Sequence, residues 1–133
     1  MQTRWMSGWL PAVLVLAVGA CGSSGAPAPP ERVATPITEV RHDGGTLITF
    51  SVGCARDLDV TLVAERDDAV VLSATHLRPA PDEESPACLQ PFYVELDAPL
   101  ADREVLDQDG NVIHDVMQVP DVSPEGATLV ERR

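Results

Sequence analysis

Three cysteines, Cys21, Cys54 and Cys88, carry most of the reactive chemistry available to this 133-residue chain. A thiol can be acylated, oxidised to a disulfide or bound to a metal, and an odd count leaves one without a partner. The remaining reactive residues are scattered. His42, His76 and His114 are far apart in sequence, and no pair has the close spacing that specifies a metal site, so they read as surface or sheet histidines. The run Asp107-Gln108-Asp109-Gly110-Asn111 has the opening residues of a calcium loop. Its glycine precedes the third ligand position instead of following it, and Gln118 stands where the closing acid belongs. It reads as a hairpin turn, with a weak Ca²⁺ site as the alternative. Asp82-Glu83-Glu84 lies in a Pro-rich stretch and reads as a solvated acidic run, not a catalytic pair. Ser51, Ser73 and Ser123 lack a nucleophile-elbow context. There is no phosphate-binding glycine loop and no CxxC pair. The sequence thus assigns no catalytic residue, no metal ligand and no cofactor.

The setting of Cys21 is more specific. The N-terminus has Arg4 as its only charge, and an apolar run follows from Trp9 to Val18. A helix needs roughly 20 apolar residues to cross a bilayer. This run is about half that, the length of a signal-peptide core. Val18-Gly19-Ala20-Cys21 then resembles the lipobox of bacterial lipoproteins, departing from the commonest pattern only in Val18, where the family usually has Leu. The resemblance implies that Cys21 takes a diacylglyceryl group, that cleavage falls just before it, and that the mature chain is anchored in a membrane through acyl chains. One chain holds weakly; at ~0.8 kcal/mol per buried CH₂, a second makes attachment lasting. Plain secretion, with cleavage near Ala26 or Ala28, and an uncleaved anchor are the competing readings. If Cys21 is lipidated, Cys54 and Cys88 are free to pair in an oxidising compartment. The bridge would contribute roughly 3–4 kcal/mol on the loop-entropy model. Two buried free thiols are the alternative.

Residues 21–34 continue from that cysteine as a Gly/Ser/Ala/Pro-rich tether without core periodicity. Its prolines favour an extended, semi-rigid spacer. The remaining residues, 35–133, suffice for one small domain. The chain has nine Arg and no Lys against 21 acids; losing residues 1–20 removes Arg4 alone, leaving eight against 21 and a net charge of −13. Such a surface repels nucleic-acid phosphate and anionic headgroups. Nucleic acid is therefore not expected as a partner. An envelope protein or a cationic ligand is permitted, although acidity serving solubility alone is the simpler reading.

The elements that position these residues follow a period of two. Ile37 to His42 is a first strand, and Asp43-Gly44-Gly45 a turn. Thr46 to Cys54 sends Ile48, Phe50, Val52 and Cys54 inward. Leu58, Val60, Leu62 and Ala64 share one face of the next strand, with Asp57, Asp59, Thr61 and Glu65 on the other. A turn at Arg66-Asp67-Asp68 returns through Val70, Leu72 and Ala74. After a loop over 78–90, Phe92, Val94 and Leu96 point inward. A last hairpin is expected over 103–116, turning at Asp109-Gly110, with a short edge strand at 128–131. Six to seven short strands with one disulfide predict an all-β domain, a small antiparallel β-sandwich, Ig-like or closing toward a partly open barrel. Both Trp lie in the leader, so the core must be aliphatic and thin.

Residues 92–113, from Phe92-Tyr93-Val94-Glu95-Leu96-Asp97-Ala98-Pro99-Leu100 through Arg103 into the following hairpin, resemble a segment of small uncharacterised actinomycete lipoproteins. The resemblance implies a lipid-anchored, β-rich domain and carries over no catalytic residue. The resulting expectation is a noncatalytic envelope domain that binds a partner or ligand. An accessory or weakly hydrolytic enzyme, or a purely structural envelope component, are the rivals.

Overall fold

The computed structural model describes residues 30–84 and 87–133. The expected leader, Cys21 and most of the expected tether lie outside the described residues. Ten strands are present among those described: β1 (Arg32–Ala34), β2 (Ile37–His42), β3 (Leu47–Gly53), β4 (Asp59–Glu65), β5 (Ala69–Leu77), β6 (Leu89–Glu95), β7 (Glu104–Leu106), β8 (Val116–Gln118), β9 (Thr128–Leu129) and β10 (Glu131–Arg132). They build an all-β sandwich of two sheets. One has the order β1-β5-β4-β10, with β7 also on β5; the other has the order β8-β2-β3-β6-β9.

Alternation fixes the core. Ile48, Phe50 and Val52 of β3, Val70, Leu72 and Ala74 of β5, and Phe92 and Val94 of β6 are all buried. Cross-strand partners Phe50 and Phe92 stack with ring centroids 5.9 Å apart. Leu96, Leu100 and Val105 complete the cluster. At ~25 cal/mol per Å² of apolar surface, these aliphatic residues supply most of the driving force. Cys54 and Cys88 extend the β3–β6 pairing by one step: their Cα atoms are 5.4 Å apart, the disulfide joins them, and the Cys54 N–H donates to the Cys88 carbonyl at 3.0 Å.

Several expectations need correction. The sheets are mixed, not purely antiparallel. The hairpins β2–β3 and β4–β5 and the pair β3–β6 are antiparallel, whereas β8, β7, β9 and β10 join β2, β5, β6 and β4 in parallel. β7, β8 and β10 fill edge positions after the chain crosses between the sheets, and β9 after it crosses from one edge of its own sheet to the other; a parallel partner requires such a crossover. The count is ten rather than six to seven for the same reason: two- and three-residue edge strands leave almost no periodic signal. Arg32–Ala34, expected in the tether, forms β1 on the edge of β5. The hairpin expected over 103–116 splits. β7 joins one sheet and β8 the other, leaving a single bridge between Leu106 and Val112. The strand expected at 128–131 splits as well, with β9 and β10 on opposite sheets and buried Val130 between them.

Two bulges reset side-chain parity. In β2 the register shifts between Thr38 and Arg41, and Glu39 takes a left-handed φ of 53°. Val40 and His42 then turn inward. In β4 the shift falls between Leu62 and Ala64, leaving Val63 as the extra residue. Glu65 consequently pairs with core residue Val70, on the inward side, not on the outward face that simple alternation assigns.

Candidate functional site

The chain passes between the sheets along one side twice, from β1 to β2 and from β7 to β8. A groove of about 380 Å³ lies in this seam. One wall, carrying Thr35 and Gln108, is anchored to the backbone of β5, whose edge is filled by β1 at one end and β7 at the other. Between them, Thr35 N–H donates to the Ala74 carbonyl at 2.8 Å, and Ala74 N–H donates to the Gln108 side-chain oxygen at 3.3 Å. The opposite wall hangs on Asp115. Its carbonyl accepts from Val40 N–H at 2.9 Å and its carboxylate from Glu39 N–H at 2.7 Å. Those two bonds satisfy the backbone donors freed by the β2 bulge.

The groove joins an apolar floor to negative charge. Pro36, Ile37, Val112 and Ile113 line it together with Asp107 and Asp115, and no lysine or arginine is among the lining residues. Asp107 is partly committed: one carboxylate oxygen accepts from Asp109 N–H at 2.9 Å and Asn111 N–H at 3.0 Å, closing its own turn. Gly110 follows with a φ of 81°, the conformation glycine supplies there. The Asp107–Asn111 run is thus a backbone turn bordering the groove. The exposed imidazole of His114 also borders it. This arrangement suits a cationic group attached to an apolar body, with carboxylates meeting the charge and the aliphatic wall the remainder.

The other sequence candidates are spread across the fold. His42 is buried at the end of β2, where its Nδ1 accepts from Gly44 N–H at 3.2 Å. His76 Nδ1 bonds the hydroxyl of buried Thr35, a contact that ties the β1–β2 link to β5. Among the described residues no group of three His, Cys, Asp or Glu is arranged to hold a metal ion. Glu83 pairs with Arg56 at 2.7 Å and Asp82 sits in an exposed turn. Ser51, on the outer face of β3, donates to Glu39 at 3.1 Å; Ser73 is buried in β5. Cys54 and Cys88 stand on the fold's other pairing, β3–β6, away from the seam.

Sequence reasoning missed one polar centre. Glu65 and Arg103 each leave about 10% of their side chain exposed and pair at 3.2 Å. The Glu65 carboxylate also accepts from the N–H groups of Asp97 and Ala98, at 3.0 and 3.2 Å. Arg103 in turn donates to the carbonyls of Ala98, Pro99, Leu100 and Arg66. Burial alone would raise the Glu65 pKa, but these backbone donors and Arg103 outweigh it and hold the carboxyl below its usual 4.5. Only the bulge at Val63 places Glu65 here, and bulges have no reliable single-sequence signal. Comparison with family models, with curated proteins and with solved structures finds no match to this chain.

Proposed function

We propose that this chain is a lipid-anchored protein of the cell envelope whose acidic β-sandwich binds a basic partner or cationic ligand in the seam groove. In this reading Cys21 carries the acyl chains, the residues after it space the domain from the bilayer, and no catalytic step is involved. The observation that carries the binding role is the groove itself: an apolar wall bordered by Asp107 and Asp115 with no basic residue lining it. The Cys54–Cys88 bridge supports an oxidising compartment, since cytosolic thiols are normally kept reduced. Glu31 and Arg32, where the described chain begins, pack beside Arg78 and Asp57 at the end of the sandwich that also carries the disulfide. A tether leaving from that end would present the turns at 43–46, 66–68 and 97–103 to the exterior.

A photo-reactive residue placed at Val112, in the groove, tests the binding role in intact cells. Val63 is the control, because the two are equally exposed, at 39% and 38%. The proposal predicts an adduct with a basic partner from position 112 and none from 63. It also predicts that Asp115→Asn, which keeps an acceptor for Glu39 while removing the charge, weakens the adduct severalfold. Equal labelling from both positions, or no effect of Asp115→Asn, contradicts it.

A further inference from the structure

The connection from β8 to β9 joins opposite edges of one sheet, so residues 119–127 cross its outer face as a strap. Buried Val122 pins the strap. Ser123 accepts from Glu125 N–H at 3.2 Å, and Ala127 N–H donates to the Pro124 carbonyl at 3.0 Å, so its second half is a closed turn. Between strap and sheet lies an open pocket of about 150 Å³, room for several waters or a small solute. Arg41, Thr49, Ser51 and Glu39 line it from the sheet, and Ser123 and Glu125 from the strap.

The charges in this cavity are unusual for the molecule. Every other described arginine holds a carboxylate, a carbonyl or a hydroxyl: Arg32, Arg56, Arg66, Arg78, Arg103, Arg132 and Arg133 all have such partners. Among the described arginines Arg41 alone has a side chain with neither an ion pair nor a hydrogen bond. In a chain with 21 acids, an arginine left unpaired is available to a ligand. Glu39 faces the same cavity because of the β2 bulge, at a non-glycine φ of 53° that costs of order 1 kcal/mol. Strain of this kind persists only where surrounding bonds enforce it, here those from Asp115 and Ser51.

We infer that the pocket beneath the strap is a second binding site, distinct from the seam groove though joined to it through the Glu39–Asp115 bond, for a small zwitterion of the α-amino acid class. The ligand carboxylate forms a two-pronged pair with the Arg41 guanidinium. Its ammonium lies between Glu39 and Glu125, and the hydroxyls of Thr49 and Ser51 take the remaining donors and acceptors. A simple anion is disfavoured by the two glutamates and a simple cation by Arg41, so the site selects molecules carrying both charges. Glycine and alanine fit the volume directly; a larger side chain would leave through the open mouth.

The test is a titration of the purified full-length protein with glycine, followed by amide chemical shifts at low salt. Saturable shifts at Arg41, Thr49, Ser51 and Ser123 are expected. Acetate alone and methylammonium alone should bind at least about tenfold more weakly, since each forgoes one charge-assisted contact. Arg41→Gln, at an exposed and unpaired position, should weaken glycine by about tenfold or more with the spectrum otherwise intact. Glu39→Gln should weaken glycine and tighten acetate, because it removes one of the two charges that repel an anion. Absence of saturable shifts overturns the site, as do shifts confined to the seam groove or glycine binding unaffected by Arg41→Gln.

Discussion

Glu65 holds three segments together: the end of β4, the 97–103 loop through Asp97, Ala98 and Arg103, and β10 through Arg132 at 3.5 Å. Its lowered pKa fixes the direction of its pH dependence. A carboxyl whose folded pKa lies below its unfolded value stabilises the fold fully above that unfolded value, near 4.5, and loses the contribution as pH falls through the folded pKa. Glu65→Gln should therefore cost about 1.5–3 kcal/mol at neutral pH, the range for hydrogen bonds to a charged group. It should also flatten the decline in stability below pH 4.5, seen as converging melting temperatures of the two proteins in acid. Parallel acid profiles would contradict this role. Thr61 presents the opposite case. Its hydroxyl is buried without a hydrogen-bond partner, so Thr61→Val removes a desolvation cost and keeps the shape. Denaturant unfolding should show a gain of about 1 kcal/mol, and a loss would mean the hydroxyl has a partner in solution.

The pair β3–β6 is the longest unbroken ladder, with seven residue pairs, and the disulfide closes its end. The bridge spans 34 residues, a loop for which chain entropy predicts about 3–4 kcal/mol. In a domain this small, that is a large share of an ordinary total. Cys54→Ala should lower the melting temperature markedly, and an unchanged value would refute the thin-core argument. At this scale the sequence is readable where alternation is long. β3, β5 and β6, with Phe50, Leu72 and Val94 inward, follow their period-two pattern, as do the turns at Gly44 and at Arg66–Asp68. It is not readable where a bulge shifts parity, as at Glu39 and Val63, because each is a single inserted residue inside an otherwise regular strand. Nor do β9 and β10 announce themselves, since two residues cannot show a period. The seam groove escapes sequence reading on the same ground. Asp107 is visible as a turn residue, but its neighbour across the groove, Ile37, lies seventy positions earlier, and only the crossovers bring them together.

For the whole molecule, edge protection and charge work together. The terminal strands of both sheets are two or three residues long, and the chain switches sheets along both sides, which leaves little free edge for another strand to join. The acid excess adds repulsion between copies. A protein displayed at high local density on a surface benefits from both. The reading as an anchored envelope domain rests on Cys21 being acylated while Cys54 and Cys88 are joined. The most direct test is the intact mass of the native chain recovered from the membrane fraction, without reduction. The account predicts a polypeptide beginning at Cys21, heavier by its acyl groups and lighter by the two hydrogens of one disulfide. A chain that retains residues 1–20, carries no lipid and has three free thiols would contradict it.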